Sequence, residues 1–205
     1  MKVFPAMLNL VGRRAVVVGA GPVALAKAEA LRHAGAAVRL VAPDIPADVL
    51  PEDIEFVRDT YQPANLENAA VVFACTDDEK LNNRIADDAR RAGALANAAD
   101  QPQNCDFFSA ATITDGPVAV AVSTGGASPV LAKRLKQQLA KAMPHRIGEF
   151  AELLDNCRCR VQSQVGDPAR RKKILTELAS DASYELFIKN GPEAIEKRLD
   201  ELLQP

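Results

Sequence analysis

The chain opens with an apolar, β-branched run at 14–18 that stops at Gly19-Ala20-Gly21-Pro22-Val23-Ala24. Helical spacing follows over 22–34 and ends at Gly35, and a second apolar run at 38–42 closes at Asp44. A short apolar run bounded by turn residues reads as a buried strand, and apolar recurrence every third or fourth residue reads as a helix. The order predicted is strand, glycine turn, helix, strand. Further strands are predicted at 54–57, 69–74, 94–96 and 107–113, the third of these leading into Asn97. A helix is predicted to open near Thr76, with Leu81, Ile85 and Ala89 on its apolar face and a stop at Gly93. Thr76 and Glu79 stand at capping-box spacing. Strands alternating with helices predict an α/β fold, a Rossmann-like doubly wound parallel sheet. The loops after its strands, at Gly19, Pro43, Thr76 and Asn97, should gather at the edge where such sheets bind ligands.

The pattern changes near Asp115. Asp115-Gly116-Pro117 predicts a turn and 118–122 a strand, after which Ser123-Thr124-Gly125-Gly126-Ala127-Ser128-Pro129 leads into a helix. Ser128 is placed as its N-cap and Pro129 at its first position. Leu131, Leu135 and Leu139 give that helix an apolar stripe, and further helices are predicted from 146, around 170–178, 184–189 and 192–203. The organisation expected is a Rossmann-like domain at 1–113, a strand-and-helix segment at 114–147 and a helical domain at 148–205.

Composition narrows the classes. With 205 residues, 48% hydrophobic, and a formal charge of −2, the chain suits one such domain plus a smaller module. Aromatics are few and the basic residues local, so nucleic acid is not expected as a partner. No apolar run nears the roughly 18–20 residues of a membrane span. The N-terminus lacks a signal-peptide layout, so a cytoplasmic protein is expected. Cys75, Cys105, Cys157 and Cys159 fit neither a zinc spacing nor a disulfide framework and are read as reduced thiols. On a helix Cys157 and Cys159 face apart, and no metal site is expected.

The chemistry concentrates at the strand ends. Gly-x-Gly-x-x-Ala between a strand and a helix, with an acid after the second strand, is the dinucleotide fingerprint. Gly19 permits the tight turn, Gly21 lets the backbone approach a pyrophosphate, and Ala24 keeps helix and strand close; Ala20, Pro22 and Val23 complete the cradle. Asp44, after Pro43, can accept both adenosine ribose hydroxyls and would repel a 2′-phosphate, which favours NAD over NADP. It can equally start the next turn. Thr76 and Asp77 read as helix caps, or as the loop against the nicotinamide half of the cofactor. Asp100 follows a strand, starts no helix, and reads as a turn former or as a carboxylate beside the nicotinamide. Between 116 and 148 stand Lys133, Arg134, Lys136, Lys141 and Arg146 without one Asp or Glu. Beside the Ser/Gly loop this points to an anionic ligand, or else to a solvated helix face.

Together these residues resemble the N-terminal module of siroheme synthases, the precorrin-2 dehydrogenase/sirohydrochlorin ferrochelatase family, over about residues 4–178. The motifs are Pro5, the turn from Val18 to Ala24, Lys27, Val41-Ala42-Pro43, Ala74-Cys75-Thr76-Asp77-Asp78, Asn97-Ala98-Ala99-Asp100, and the run from Val120 to Pro129. That last run is the most specific. Two departures stand out: Ala26 where the family usually has Arg, and the Gln101-Pro102-Gln103-Asn104-Cys105 loop. The resemblance implies NAD-dependent oxidation of precorrin-2 to sirohydrochlorin, with Asp100 as general base or proton-steering group. It implies that Asn97, Ser123, Thr124, Gly125, Gly126, Ser128, Lys133 and Arg134 meet the tetrapyrrole, and that two copies interlock as a homodimer through the 114–147 segment. Some members also insert iron, in which case Fe2+ is a substrate and not a structural metal. Two other readings stand beside it: an NAD-sensing regulatory module of the potassium-transport type, and a dehydrogenase for another anionic substrate.

Overall fold

The first apolar run becomes the centre of a sheet. In β1 (Arg14–Val18) every residue after Arg14 is buried. It pairs in parallel with β2 (Ala37–Val41) on one side and β4 (Ala69–Ala74) on the other, while β3 (Glu55–Val57) and β5 (Leu95–Ala98) form the edges. The computed structural model describes residues 3–44, 51 and 53–204, which divide into two units meeting between Ser109 and Ala110.

In the first unit helices cover both faces of the sheet. Val17, Leu40 and Phe73 pack with Ala24, Ala28 and Leu31 of α1 (Pro22–His33). Val16, Val18, Val72 and Ala74 pack with Ile85, Ala86 and Ala89 of α2 (Glu79–Arg91). Burial on both sides is why these strands read as continuous apolar runs without alternation. The open edge of β5 is blunted by Asp106, whose carboxylate accepts from Ala96 N at 2.8 Å and from Arg90 Nε at 2.9 Å.

The second unit begins with an antiparallel hairpin, β6 (Ala111–Asp115) and β7 (Val118–Val122), followed by α3 (Pro129–Ala142). The helices α4 (Ile147–Gln164), α5 (Pro168–Leu178), α6 (Asp181–Asn190) and α7 (Pro192–Leu203) enclose their own core around Phe150, Val161, Leu178, Phe187 and Leu199. Gly148 sits where that bundle meets the hairpin turn. Its N–H donates to Asp115 Oδ2 at 3.0 Å, and a Cβ there would lie 2.5 Å from the Asp115 carbonyl oxygen. Only a glycine lets the two backbones approach so closely. Among the described residues no helix is long and apolar enough to cross a membrane.

Three local expectations are corrected. The strand expected at 107–113 starts at Ala111 and pairs with β7, outside the parallel sheet. Phe107 instead packs edge-on against Phe73, with centroids 5.2 Å apart, so its apolar character serves the core of the first unit. The hairpin therefore starts ahead of the 113/114 boundary that the turn at Asp115 suggested. The short strand expected at 94–96 runs to Ala98, because Asn97 and Ala98 continue the pairing with Phe73 and Ala74; Asn97 is thus in β5 and not in the loop after it. Finally, α2 is capped by Asp78 and not by a Thr76–Glu79 box. Asp78 Oδ1 accepts from Lys80 N at 2.8 Å and Leu81 N at 3.2 Å, which leaves Thr76 to another partner.

Candidate functional site

β1 sends the chain to β2 on one side, while β4 lies on its other side and feeds β5, so the connections diverge between β1 and β4. At such a switch point the two outgoing loops part and leave a crevice beyond the strand ends. The ends are level here: Gly19 N donates to Val41 O at 2.9 Å, Cys75 N to Val18 O at 2.8 Å, and Ala99 N to Ala74 O at 2.9 Å. The glycine turn lies directly on the loop after β4. A Cβ at Gly19 would stand 2.3 Å from the Cys75 carbonyl oxygen, and its φ is +123°.

Gly21 differs from Gly19. It is the N-cap of α1, and a Cβ there would meet no atom within 4 Å. The first turn of α1 has neither a side-chain cap nor an acidic residue. Orphan N–H groups with a partial positive charge therefore face open space at the crevice, which suits a pyrophosphate. Ala20 is half-buried, and Pro22 and Val23 are exposed around the same turn. Pro43 and Asp44 lie exposed past the end of β2, Asp44 being the last residue described before 51.

Thr76 follows β4 and is held by Asn82, a residue of α2 that is only 3% exposed. Asn82 Oδ1 accepts from Thr76 N at 3.0 Å and from Thr76 Oγ1 at 2.7 Å, while Asn82 Nδ2 donates to Thr76 O at 2.8 Å. One buried amide thus engages every polar group of Thr76, with Asp77 exposed beside it. Asn97 is half-buried and its Nδ2 donates to Phe107 O at 2.8 Å. Asp100 is exposed in the turn after β5 with φ +60°, a left-handed conformation uncommon outside glycine. Below it the Cys75 thiol is pushed up to about 11, chiefly by burial; Lys27 pulls the other way and the Asp100 carboxylate adds to the rise. The ammonium of Lys27 lies 5.6 Å from the centroid of the Phe73 ring. The first unit thus brings the glycine turn, Pro43, Asp44, Thr76, Asp77, Asn97 and Asp100 to one sheet edge.

In the second unit the loop between β7 and α3 is tied internally. Thr124 Oγ1 accepts from Ser128 N at 3.0 Å and donates to Ser128 O at 3.1 Å, and Ser128 Oγ accepts from Leu131 N at 3.2 Å. Gly125 and Gly126 both have positive φ, and Ser123 Oγ accepts from Gly125 N at 3.2 Å. Lys133 and Arg134 are exposed on α3. Arg146 does not add to that basic face. It is engaged by Glu149, with Nη2 to Oε2 at 2.6 Å, a pair one helical turn apart.

Asn82, Gln101 and Asp106 are the polar positions that sequence reasoning missed. A signal existed for the first: Asn82 shares the buried stripe of Ala86 and Ala89, and a polar residue on an apolar face implies a buried partner. Gln101 and Asp106 sit in an irregular loop, where no periodicity sets them apart.

The family model described as "Putative NAD(P)-binding" matches residues 6–111, and that described as "Sirohaem biosynthesis protein central" matches residues 115–142. A siroheme synthase of Thioalkalivibrio sulfidiphilus is 33% identical over 208 residues, covering 100% of this chain and 42% of the relative. One of Pseudomonas fluorescens is 36% identical over 183 residues, covering 87% of this chain and 39% of the relative. The chain therefore spans about two-fifths of the length of these curated relatives. Among solved structures, "SirC, precorrin-2 dehydrogenase" shares the fold with a TM-score of 0.77 at 23% identity, covering 97% of this chain and 100% of that one. The chain belongs to this NAD(P)-binding family, and the segment that follows the matched unit is similar to the sirohaem-biosynthesis central model.

Proposed function

We propose that this protein is an NAD-dependent dehydrogenase that oxidises precorrin-2 to sirohydrochlorin, working as a cytoplasmic homodimer without nucleic-acid or membrane partners. One observation carries the reading: an uncapped, glycine-lined helix N-terminus at the switch point, in a chain whose next segment is of the sirohaem type. A regulatory NAD sensor would account for the first unit but not for residues 115–142. A dehydrogenase for another anionic substrate would likewise leave that segment unexplained.

Gly19, Ala20, Gly21, Pro22 and Val23 would hold the pyrophosphate of the cofactor, Pro43 and Asp44 its adenosine ribose, and Thr76 and Asp77 its nicotinamide half. Bound NAD supplies the acceptor for the hydride that leaves the tetrapyrrole. Asp100 takes up the proton that leaves with it, so the substrate loses two electrons and gains conjugation. Ser123, Thr124, Gly125, Gly126 and Ser128 offer hydroxyl and N–H donors to the acetate and propionate groups, Lys133 and Arg134 offer charge, and Asn97 is assigned to the substrate as well. The division 1–113, 114–147 and 148–205 belongs to this reading, its first boundary falling within β6. Where iron insertion follows, Fe2+ is a substrate and Asp100 receives the displaced pyrrole protons; a siroheme spectrum on adding Fe2+ to the oxidised product decides this.

Anaerobic incubation with precorrin-2 and NAD tests the proposal: sirohydrochlorin absorbance should rise in step with NADH. Substrate KM should rise with ionic strength more steeply than that of NAD, because exposed charges are screened at the roughly 10 Å Debye length of 0.1 M salt. Absence of product with NAD bound would leave the sensor reading in its place. NAD should also outperform NADP in kcat/KM, and Asp44→Ala should narrow that gap; equal values for both cofactors in the native protein would remove Asp44 from ribose recognition.

The homodimer draws support from α3, where Val130 is 79%, Leu131 45%, Leu135 36% and Leu139 44% exposed in the single chain. Apolar surface in such a stripe marks an interaction face. Leu135→Asp with Leu139→Asp should halve the sedimentation mass. A native protein that already sediments as one chain would end this part of the proposal.

A further inference from the structure

Gln101 is only 3% exposed, one of few buried polar side chains among the described residues, and nothing in the reading above gives it a task. Its Nε2 donates to Glu79 O at 3.1 Å, and its Oε1 accepts from Asn104 Nδ2 at 3.3 Å; Asn104 Nδ2 also donates to Asn83 Oδ1. Its backbone is fixed as well, with Gln101 N donating to Ala98 O at 3.3 Å and Gln101 O accepting from Asn104 N at 2.9 Å. On the other side of Asp100, Ala99 N donates to Ala74 O at 2.9 Å. Asp100 is therefore the one exposed residue between two anchored neighbours, and it alone carries the positive φ of +60°.

We infer that Gln101 is a positioning residue that locks the Asp100 turn to the first residue of α2 and so aims the Asp100 carboxylate at the crevice. The inference rests on the role proposed for Asp100. An aspartate pays an energetic penalty for the left-handed region, and such a conformation persists only where its surroundings over-determine it. The amide is suited to this because it donates and accepts at once, to the α2 terminus and to Asn104. Since Glu79 adjoins the Asp78 cap and the Thr76 loop, the same strut keeps Asp100 in register with the cofactor loop.

Gln101→Leu removes both hydrogen bonds at similar size, and Gln101→Glu keeps the acceptor but turns the donor into an oxygen facing the Glu79 carbonyl. With precorrin-2 and NAD, Gln101→Leu should lower kcat at least tenfold while the KM for NAD stays within twofold. For Gln101→Glu the ratio of its kcat to the native kcat should climb as pH falls, because a protonated carboxyl regains the donor. Amide hydrogen exchange across 97–105 should quicken in Gln101→Leu while the β1 and β4 amides stay protected. A kcat within twofold of native, a loss shared equally by kcat and NAD binding, or a pH-independent ratio would each overturn the inference. Should the native protein leave precorrin-2 untouched, the proposed function fails and exchange alone decides: faster exchange confined to that loop upholds the lock, and unchanged exchange overturns it.

Discussion

Asp100→Asn is expected to reduce precorrin-2 oxidation by roughly 10²-fold or more, the scale of a lost acid–base group, with NAD affinity and dimerisation near native. The substitution nearly preserves shape, and asparagine tolerates the left-handed conformation that Asp100 adopts at φ +60°. What it removes is a carboxylate able to accept a proton. Because Asp100 is exposed and outside the hydrophobic cores, its stability contribution should be small, and the melting temperature should barely move. Stopped-flow or steady-state sirohydrochlorin formation, with NAD titration as the control, measures both sides of this expectation. A fully active variant would take Asp100 out of the chemistry. Loss of NAD binding or of the fold would assign it to turn formation alone.

The second large effect separates two glycines that sit two residues apart. Gly19→Ala should destabilise the protein by about 3 kcal/mol or more, since the new methyl meets a backbone oxygen and the conformation resists any side chain. A Cβ would stand 2.3 Å from the Cys75 carbonyl oxygen at φ +123°, and neither β1 nor β4 can yield without breaking the sheet. For a chain of this size that energy lowers Tm by roughly 10 °C. Gly21→Ala should behave in the opposite way. No atom lies within 4 Å of its Cβ position, so Tm should stay native while NAD affinity falls, because the methyl occupies space that the pyrophosphate needs. Thermal melts and NAD titrations of both variants check the pair. If Gly21→Ala bound NAD as the native chain does, the cradle would have to be placed elsewhere.

The contrast between these glycines also shows how far a one-dimensional reading reaches. Both were assigned from the Gly-x-Gly-x-x-Ala spacing, with Gly19 for the turn and Gly21 for the approach of a ligand. That division was legible because a fingerprint is a local device: strand, turn and helix follow one another within a dozen residues. The contact that makes Gly19 so costly to replace comes from Cys75, more than fifty positions away, and no spacing announces it. Likewise, Ser128 as N-cap and Pro129 as first helical residue were readable, since cap chemistry acts within three residues. At α2 the same local logic misfired. Thr76, Asp77 and Asp78 all have capping side chains, and the choice among them fell to Asn82, whose buried amide holds Thr76 and leaves the cap to Asp78.

By itself the sequence determined the alternation of strand and helix, the glycine turn between β1 and α1, the change of character near Asp115, and the succession of helices from 146 onward. Each follows from hydrophobic period or from backbone preferences of Gly, Pro and capping residues, which act over a few positions. Only the tertiary structure decided that β6 leaves the parallel sheet for a hairpin with β7, and that Phe107 turns inward to Phe73. It alone decided that Arg146 is spent on Glu149 and that Gln101 braces the Asp100 turn. Those outcomes depend on which of several locally acceptable partners lies within hydrogen-bonding or packing distance once the sheet has formed. Distance through space, unlike period along the chain, is not written in the order of residues.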